Sequence, residues 1–154
     1  MDKTTKTAAN VPFDLETLAQ YLTLHVKGFI GPITVEKFPG GQSNPTYKLT
    51  AASGVYVLRS QPAGKLLKSA HAVDREYQVL DALKNTDVPV AQVYHLCRDT
   101  SIIGTMFYLM EFCDGTVYWS ASLAEVSSNN ERTQIYDQMN KALVALHSVD
   151  INTT

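Results

Sequence analysis

Three short runs of alternating residues constrain the fold of this chain more than any other feature. They are residues 33–38, "TYKLT" at 46–50 and "VYVLR" at 55–59. Alternation with a period of two is typical of half-buried strands, and the connections between the runs are short. The sequence therefore predicts an antiparallel meander of three strands.

Helical spacing appears on both sides of these runs. Asp14 stands as an N-cap ahead of apolar residues at helical intervals, and Gly28 follows the last of them. A second helix is predicted within 70–84 and a third from about Asn130 to His147, while "VAQVYHLC" and the apolar "MFYLMEF" read as two further strands. The predicted third helix has an apolar stripe formed by Ile135, Met139, Leu143 and Leu146.

Composition excludes several classes of partner. The chain has 154 residues and a formal net charge of -2, so it lacks the basic field that drives binding to nucleic acid or anionic membranes. Its two cysteines, Cys97 and Cys113, form no C-x-x-C and indicate neither a zinc site nor a disulfide scaffold. With no signal-like segment or long apolar run, we expect a cytoplasmic protein without a membrane partner.

The segment "FPGGQSNPTYKLT" leaves two alternatives open when it is taken alone. Its glycines could serve an ordinary hairpin, or they could let the backbone approach a phosphate closely. Arg59 ends the third strand of the meander, and Glu76 on the next helix could hold its guanidinium by a bidentate contact. A strand, a loop, a basic residue and a helix carrying a glutamate, in this order, are typical of a protein-kinase-like amino-terminal lobe.

Four segments carry a resemblance to a known family: "GGQSNPTYKL", "YVLRSQPAGKLLKSAHAVDREYQVLDAL", "DVPVAQVYHLC" and "IGTMFYLMEFCDG". In order and spacing they resemble the aminoglycoside phosphotransferase family, and most closely the branch similar to the kinase-like domain fused to some acyl-CoA dehydrogenases. The resemblance covers about residues 13–150.

The resemblance implies a fold and an activity. The fold is α+β, with a five-stranded, mainly antiparallel sheet, one packed helix, an amino-terminal helix and the first helix of a second lobe. The activity is transfer of the ATP γ-phosphate to a hydroxyl of a small molecule, with Mg²⁺ as the metal of the complete enzyme. The residues of this chain do not identify the molecule that accepts the phosphate.

The resemblance also implies roles for particular residues in binding ATP. Arg59 takes the place of the usual phosphate-binding lysine, with Glu76 as its partner, and Val57 lines the adenine. Met110 gates the pocket, and backbone groups of Glu111 and Cys113 meet the adenine. The loop that covers the nucleotide comprises Gly40, Gly41, Gln42, Ser43 and Asn44.

One departure from the family is that the chain lacks the motif of a catalytic aspartate loop. No "HGD" or "HRD" occurs in the 154 residues, so we expect no catalytic residue and no metal ligand within this chain. The predicted organisation is a flexible tail at 1–12, a nucleotide-binding lobe at 13–117, and a linker with the first helix of a truncated second lobe at 118–154. We therefore expect the chain alone to be inactive.

Two readings other than an enzyme part remain open. One is a non-catalytic nucleotide-binding or interaction module derived from a kinase lobe. The other is a structural fragment whose cleft surface pairs with a second copy, which would make the chain a homodimer.

Overall fold

The structure is a computed structural model that describes residues 11–39, 43–64 and 72–151. Within them lie three helices and five strands. In chain order these are α1 (Leu15–His25), β1 (Ile33–Lys37), β2 (Thr46–Ala51), β3 (Gly54–Ser60), α2 (Val73–Leu83), β4 (Val93–Cys97), β5 (Phe107–Glu111) and α3 (Asn129–His147).

The five strands form one sheet in the order β1-β2-β3-β5-β4, and every pairing is antiparallel. The predicted meander is confirmed in β1, β2 and β3. Strand β5 lies between β3 and β4, so it stands next to the strand that carries Arg59. Arg59 is paired with Thr46 on one side and Tyr108 on the other, while Val57 is paired with Lys48 and Met110. Because paired residues share a face, these side chains all lie on one side of the sheet.

Helix α1 begins and ends as the sequence predicts. The Asp14 carboxylate accepts a hydrogen bond of 2.7 Å from the Thr17 amide, which caps the first turn. The helix ends before Gly28, whose φ of +79° is a left-handed conformation that glycine adopts without strain. Leu18 and Leu22 point from α1 into the core and are fully buried.

The main core lies between α1 and the opposite face of the sheet. Leu49, Leu58 and Leu109 come from three adjacent strands and are completely buried there. Helix α2 packs near β4 and β5, and its first residue, Val73, is fully buried. Because Val57 and Arg59 alternate with Leu58, they face away from the α1 core.

Helix α3 follows the predicted bounds to within one residue and is capped by the Ser128 hydroxyl. Its apolar stripe remains largely accessible in the described part of the chain: Met139 is 58% exposed, Leu143 51% and Leu146 46%, and Ile135 is half-buried. In the described ranges, no helix combines the length and apolarity that crossing a bilayer requires.

Candidate functional site

An ion pair joins β3 to α2 on the face of the sheet away from α1. The Arg59 Nε donates to Glu76 Oε2 at 2.6 Å, and the Arg59 Nη2 donates to Glu76 Oε1 at 3.3 Å. The two side chains are 31% and 34% exposed, so the pair is only partly accessible to water. The bidentate contact that the sequence predicted between these two residues is present.

Two further donors hold the Glu76 carboxylate. Asn44 donates from Nδ2 to Oε1 at 2.9 Å, and the Tyr108 hydroxyl donates to Oε2 at 3.2 Å. Burial, followed by the charge of Glu76, raises the pKa of Tyr108, so its hydroxyl keeps its proton and remains a donor. Glu76 therefore accepts hydrogen bonds from a loop, from β3 and from β5.

Thr46 holds the other end of the Arg59 guanidinium. Arg59 Nη1 donates to Thr46 Oγ1 at 3.1 Å, and that hydroxyl donates in turn to the Asn44 carbonyl at 3.1 Å. The hydrogen bond that Arg59 donates to Glu76 raises the pKa of Arg59, so the group stays charged. A guanidinium has five N–H groups. One on Nη1 and one on Nη2 have no partner among the residues that the structure describes, so each is available to donate to a phosphate oxygen.

An open groove of about 650 Å³ adjoins this network between α2 and the sheet. The charged residues of its lining are Arg59, Arg75 and Glu76. The rest of its lining is mainly apolar and consists of Ala72, Val79, Leu80, Ala91, Tyr108 and Met110. A lining that combines charged and apolar side chains is suited to a ligand that has an anionic and an aromatic or aliphatic part.

The covering loop is only partly described. Gly40, Gly41 and Gln42 lie outside the described residues. Ser43 is exposed, whereas Asn44 is only 4% exposed and its side-chain amide is bonded to Glu76. A role for these residues in covering a nucleotide stays a prediction.

The predicted adenine-binding residues lie on β3, on β5 and just beyond β5. Val57 is buried directly opposite Met110 in the β3–β5 ladder. The Glu111 amide donates to the Gln92 carbonyl at 2.8 Å, and Glu111 Oε2 accepts from the Gln92 amide at 3.2 Å. Cys113 follows β5 and is exposed. Contacts of Glu111 and Cys113 with adenine stay predictions.

Two residues of the network were not named from the sequence. Thr46 could have been found, because the short turn between β2 and β3 sets a register that pairs it with Arg59. Tyr108 could not, because its place beside Arg59 depends on β5 inserting between β3 and β4.

Possible metal ligands are not clustered in the described residues. Within 11–39, 43–64 and 72–151, no three histidine, cysteine, aspartate or glutamate side chains are grouped so that they could hold an ion. Binding of Mg²⁺ by the complete enzyme stays a prediction.

Comparison with known proteins agrees with the fold. Residues 34–154 match the model of the phosphotransferase enzyme family. The chain is 46% identical over 138 residues to acyl-CoA dehydrogenase family member 10 of Mus musculus, covering 86% of this chain and 13% of that protein. It is 45% identical over 148 residues to the probable acyl-CoA dehydrogenase IBR3 of Arabidopsis thaliana, covering 91% of this chain and 18% of that one.

A solved structure is also similar. It is that of a putative aminoglycoside phosphotransferase from Ralstonia eutropha, with a TM-score of 0.78 and 49% identity. The match covers 91% of this chain and 40% of that one, so the chain spans less than half of this relative and under a fifth of the two curated relatives above. With the family model matching most of its length, the chain has the kinase-like fold and belongs to the phosphotransferase enzyme family.

Proposed function

We propose that this chain is the ATP-binding part of a phosphotransferase that transfers the γ-phosphate of ATP to a hydroxyl of a small molecule. The observation that carries the proposal is the orientation of Arg59. Glu76 and Thr46 both accept hydrogen bonds from its guanidinium, and an N–H on each Nη has no partner among the described residues. A cation that is fixed in this way and keeps two donors is suited to bind phosphate oxygens.

Each residue has a distinct role in this proposal. Arg59 binds the phosphates and Glu76 holds it in place. Val57 lines the adenine, and Met110, its partner across β3 and β5, gates the pocket. The backbone of Glu111 and Cys113 completes the adenine site, and residues 40–44 cover the nucleotide. Residues 13–117 then form the nucleotide-binding lobe, and 118–154 form the linker and the first helix of a second lobe.

The proposal assigns no catalytic residue to this chain. Enzymes of this family generally use ATP and Mg²⁺, and bound Mg²⁺ neutralises charge that develops on the phosphates. Since neither an aspartate loop of the "HGD" or "HRD" type nor a described metal site is present, we expect no phosphoryl transfer by the chain alone. The acceptor hydroxyl belongs to a small molecule, and a cytoplasmic location stays a prediction.

The test is an ATP titration of the purified chain followed by NMR. Because its relatives extend well beyond it, we expect the isolated chain to bind ATP weakly, with a dissociation constant above the submillimolar range. Arg59→Ala should abolish the chemical-shift changes. Arg98→Ala, which removes an exposed arginine after β4, is the matched control and should titrate like the unmodified chain. Equal titrations of both variants would contradict the proposed role of Arg59.

A second candidate function is an interaction module derived from a kinase lobe. The observation that favours it is the accessible apolar stripe on α3, where Met139 and Leu143 are more than half exposed. Sedimentation velocity distinguishes the two functions. A tight homodimer that shows no response to ATP favours the module, whereas a monomer that binds ATP through Arg59 favours the enzyme part.

A further inference from the structure

We propose that Asn44 is a positioning residue, which acts by holding Glu76 and through it the Arg59 guanidinium. The expected effect of Asn44 on ATP affinity depends on the function proposed above. Its effect on the position of the Arg59 guanidinium does not. Sequence reasoning placed Asn44 among the residues that cover the nucleotide. Its burial and its bonding partners point to this second role.

Asn44 is one of only two buried polar residues in the described part of the chain, the other being Ser60. Its Nδ2 donates to Glu76 Oε1 at 2.9 Å, the same oxygen that accepts from Arg59 Nη2 at 3.3 Å. A buried amide needs hydrogen-bond partners, and a carboxylate is a strong acceptor. The side chain therefore faces Glu76 and the interior.

The hydrogen bonds around Asn44 form a closed circuit. The Asn44 side chain bonds to Glu76, and Glu76 bonds to Arg59. Arg59 bonds to Thr46, whose hydroxyl returns to the Asn44 carbonyl. Four residues from a loop, two strands and a helix thus fix one another, so removing one member loosens the others.

A backbone hydrogen bond at Ser60, the residue after Arg59, helps to hold this circuit in place. The Pro45 carbonyl accepts from the Ser60 amide at 2.9 Å, which attaches the end of the loop to the end of β3. Because this bond attaches the loop end to β3, Asn44 is held in place where it bonds to Glu76. The side-chain amide of Asn44 therefore links the end of the loop directly to α2.

The first test measures Arg59 directly and needs no ligand. Protection of the Arg59 Nε–H against hydrogen exchange is followed by NMR in the unmodified chain and in Asn44→Ala. Loss of a hydrogen bond to a charged acceptor should lower the protection by roughly tenfold. Asn130→Ala changes the same residue type on the exposed first turn of α3 and should leave it unchanged.

Asn44→Asp adds a readout that a general packing role would not give. An introduced carboxylate would lie against Glu76, and two carboxylates this close cannot both be ionised readily. Among the described residues, the other charged or titratable groups at Glu76 are Arg59 from β3, Tyr108 from β5 and Arg75, which lines the same groove. Near pH 8 the Arg59 protection should be low relative to the unmodified chain at that pH. Near pH 5 the protonated acid can donate to Glu76, so the protection should recover.

ATP titrations of the same variants separate the two proposals. If Asn44→Ala lowers Arg59 protection and weakens ATP binding by roughly tenfold, both stand. If the protection falls but no form of the chain, including the unmodified one, binds ATP, the positioning role stands and the proposed function fails. Unchanged Arg59 protection in Asn44→Ala, or no recovery of Asn44→Asp on acidification, overturns the positioning role. Circular dichroism confirms that each variant is folded.

Discussion

Replacing Glu76 with glutamine tests how much the network at β3 and α2 contributes to stability. Glutamine has nearly the same shape as glutamate, so the change removes charge and one acceptor and creates no cavity. In the folded protein each carboxylate oxygen accepts two hydrogen bonds. One of these oxygens becomes an NH₂ group in the variant, so two donors lose their acceptor.

The magnitude follows from these two lost hydrogen bonds. At a net value of about 1 kcal/mol each, Glu76→Gln should lower the free energy of unfolding by about 2 kcal/mol. The ionic attraction adds little, because both side chains are about one-third exposed and water screens the pair. For a chain of this size, 2 kcal/mol corresponds to a fall in Tm of about 4–8 °C.

The assay is urea unfolding followed by circular dichroism, with Asp81→Asn as the matched control. Asp81 also pairs with a cation, Lys84, at 2.7 Å, but its partner lies on the surface one helical turn away. That control should lose less than about 0.5 kcal/mol. If Glu76→Gln and Asp81→Asn have the same free energy of unfolding, the four hydrogen bonds that Glu76 accepts do not stabilise the fold as argued.

Two more predictions concern the α1 side of the sheet. Burial, and then the charge of neighbouring His25, lowers the pKa of His95 below its ordinary 6.5, so the unfolded chain binds a proton more readily than the folded chain. Stability should therefore decline as the pH falls from 6.5 through the folded-state pKa, and His95→Gln should reduce that decline in urea titrations at several pH values. Leu58→Ala should cost about 2–5 kcal/mol because Leu58 is completely buried, whereas Leu24→Ala, at an 82% exposed position, should stay within about 0.5 kcal/mol by the same assay.

The sequence predicted those parts of the site that depend on local pattern. Alternation along β3 placed Val57 and Arg59 on one face, and the next helix brought Glu76 over that face. Both inferences need only the period of a strand and the order of elements. The α1 helix was predicted for the same reason, since its cap and its terminating glycine lie within the segment itself.

The rest of the site depends on contacts between distant segments. Asn44 and Glu76 are 32 positions apart, and so are Glu76 and Tyr108. No local period encodes such contacts, because they follow from the insertion of β5 beside β3 and from where α2 comes to lie. The family resemblance therefore assigned Asn44 only to the nucleotide, and its carboxylate partner in the folded chain was not predicted.

Helix α3 shows that local spacing also does not determine whether an apolar stripe is buried. Its spacing predicts an apolar stripe, but a stripe is buried only if another element covers it. Leu143 is 51% exposed in the described structure, so Leu143→Ser should lower the free energy of unfolding by less than about 1 kcal/mol, compared with about 2–5 kcal/mol for Leu58→Ala. Urea unfolding at two protein concentrations checks this. A loss of about 2 kcal/mol or more that grows with concentration would mean that a second copy covers the stripe in solution, which would favour the interaction module over the isolated enzyme part.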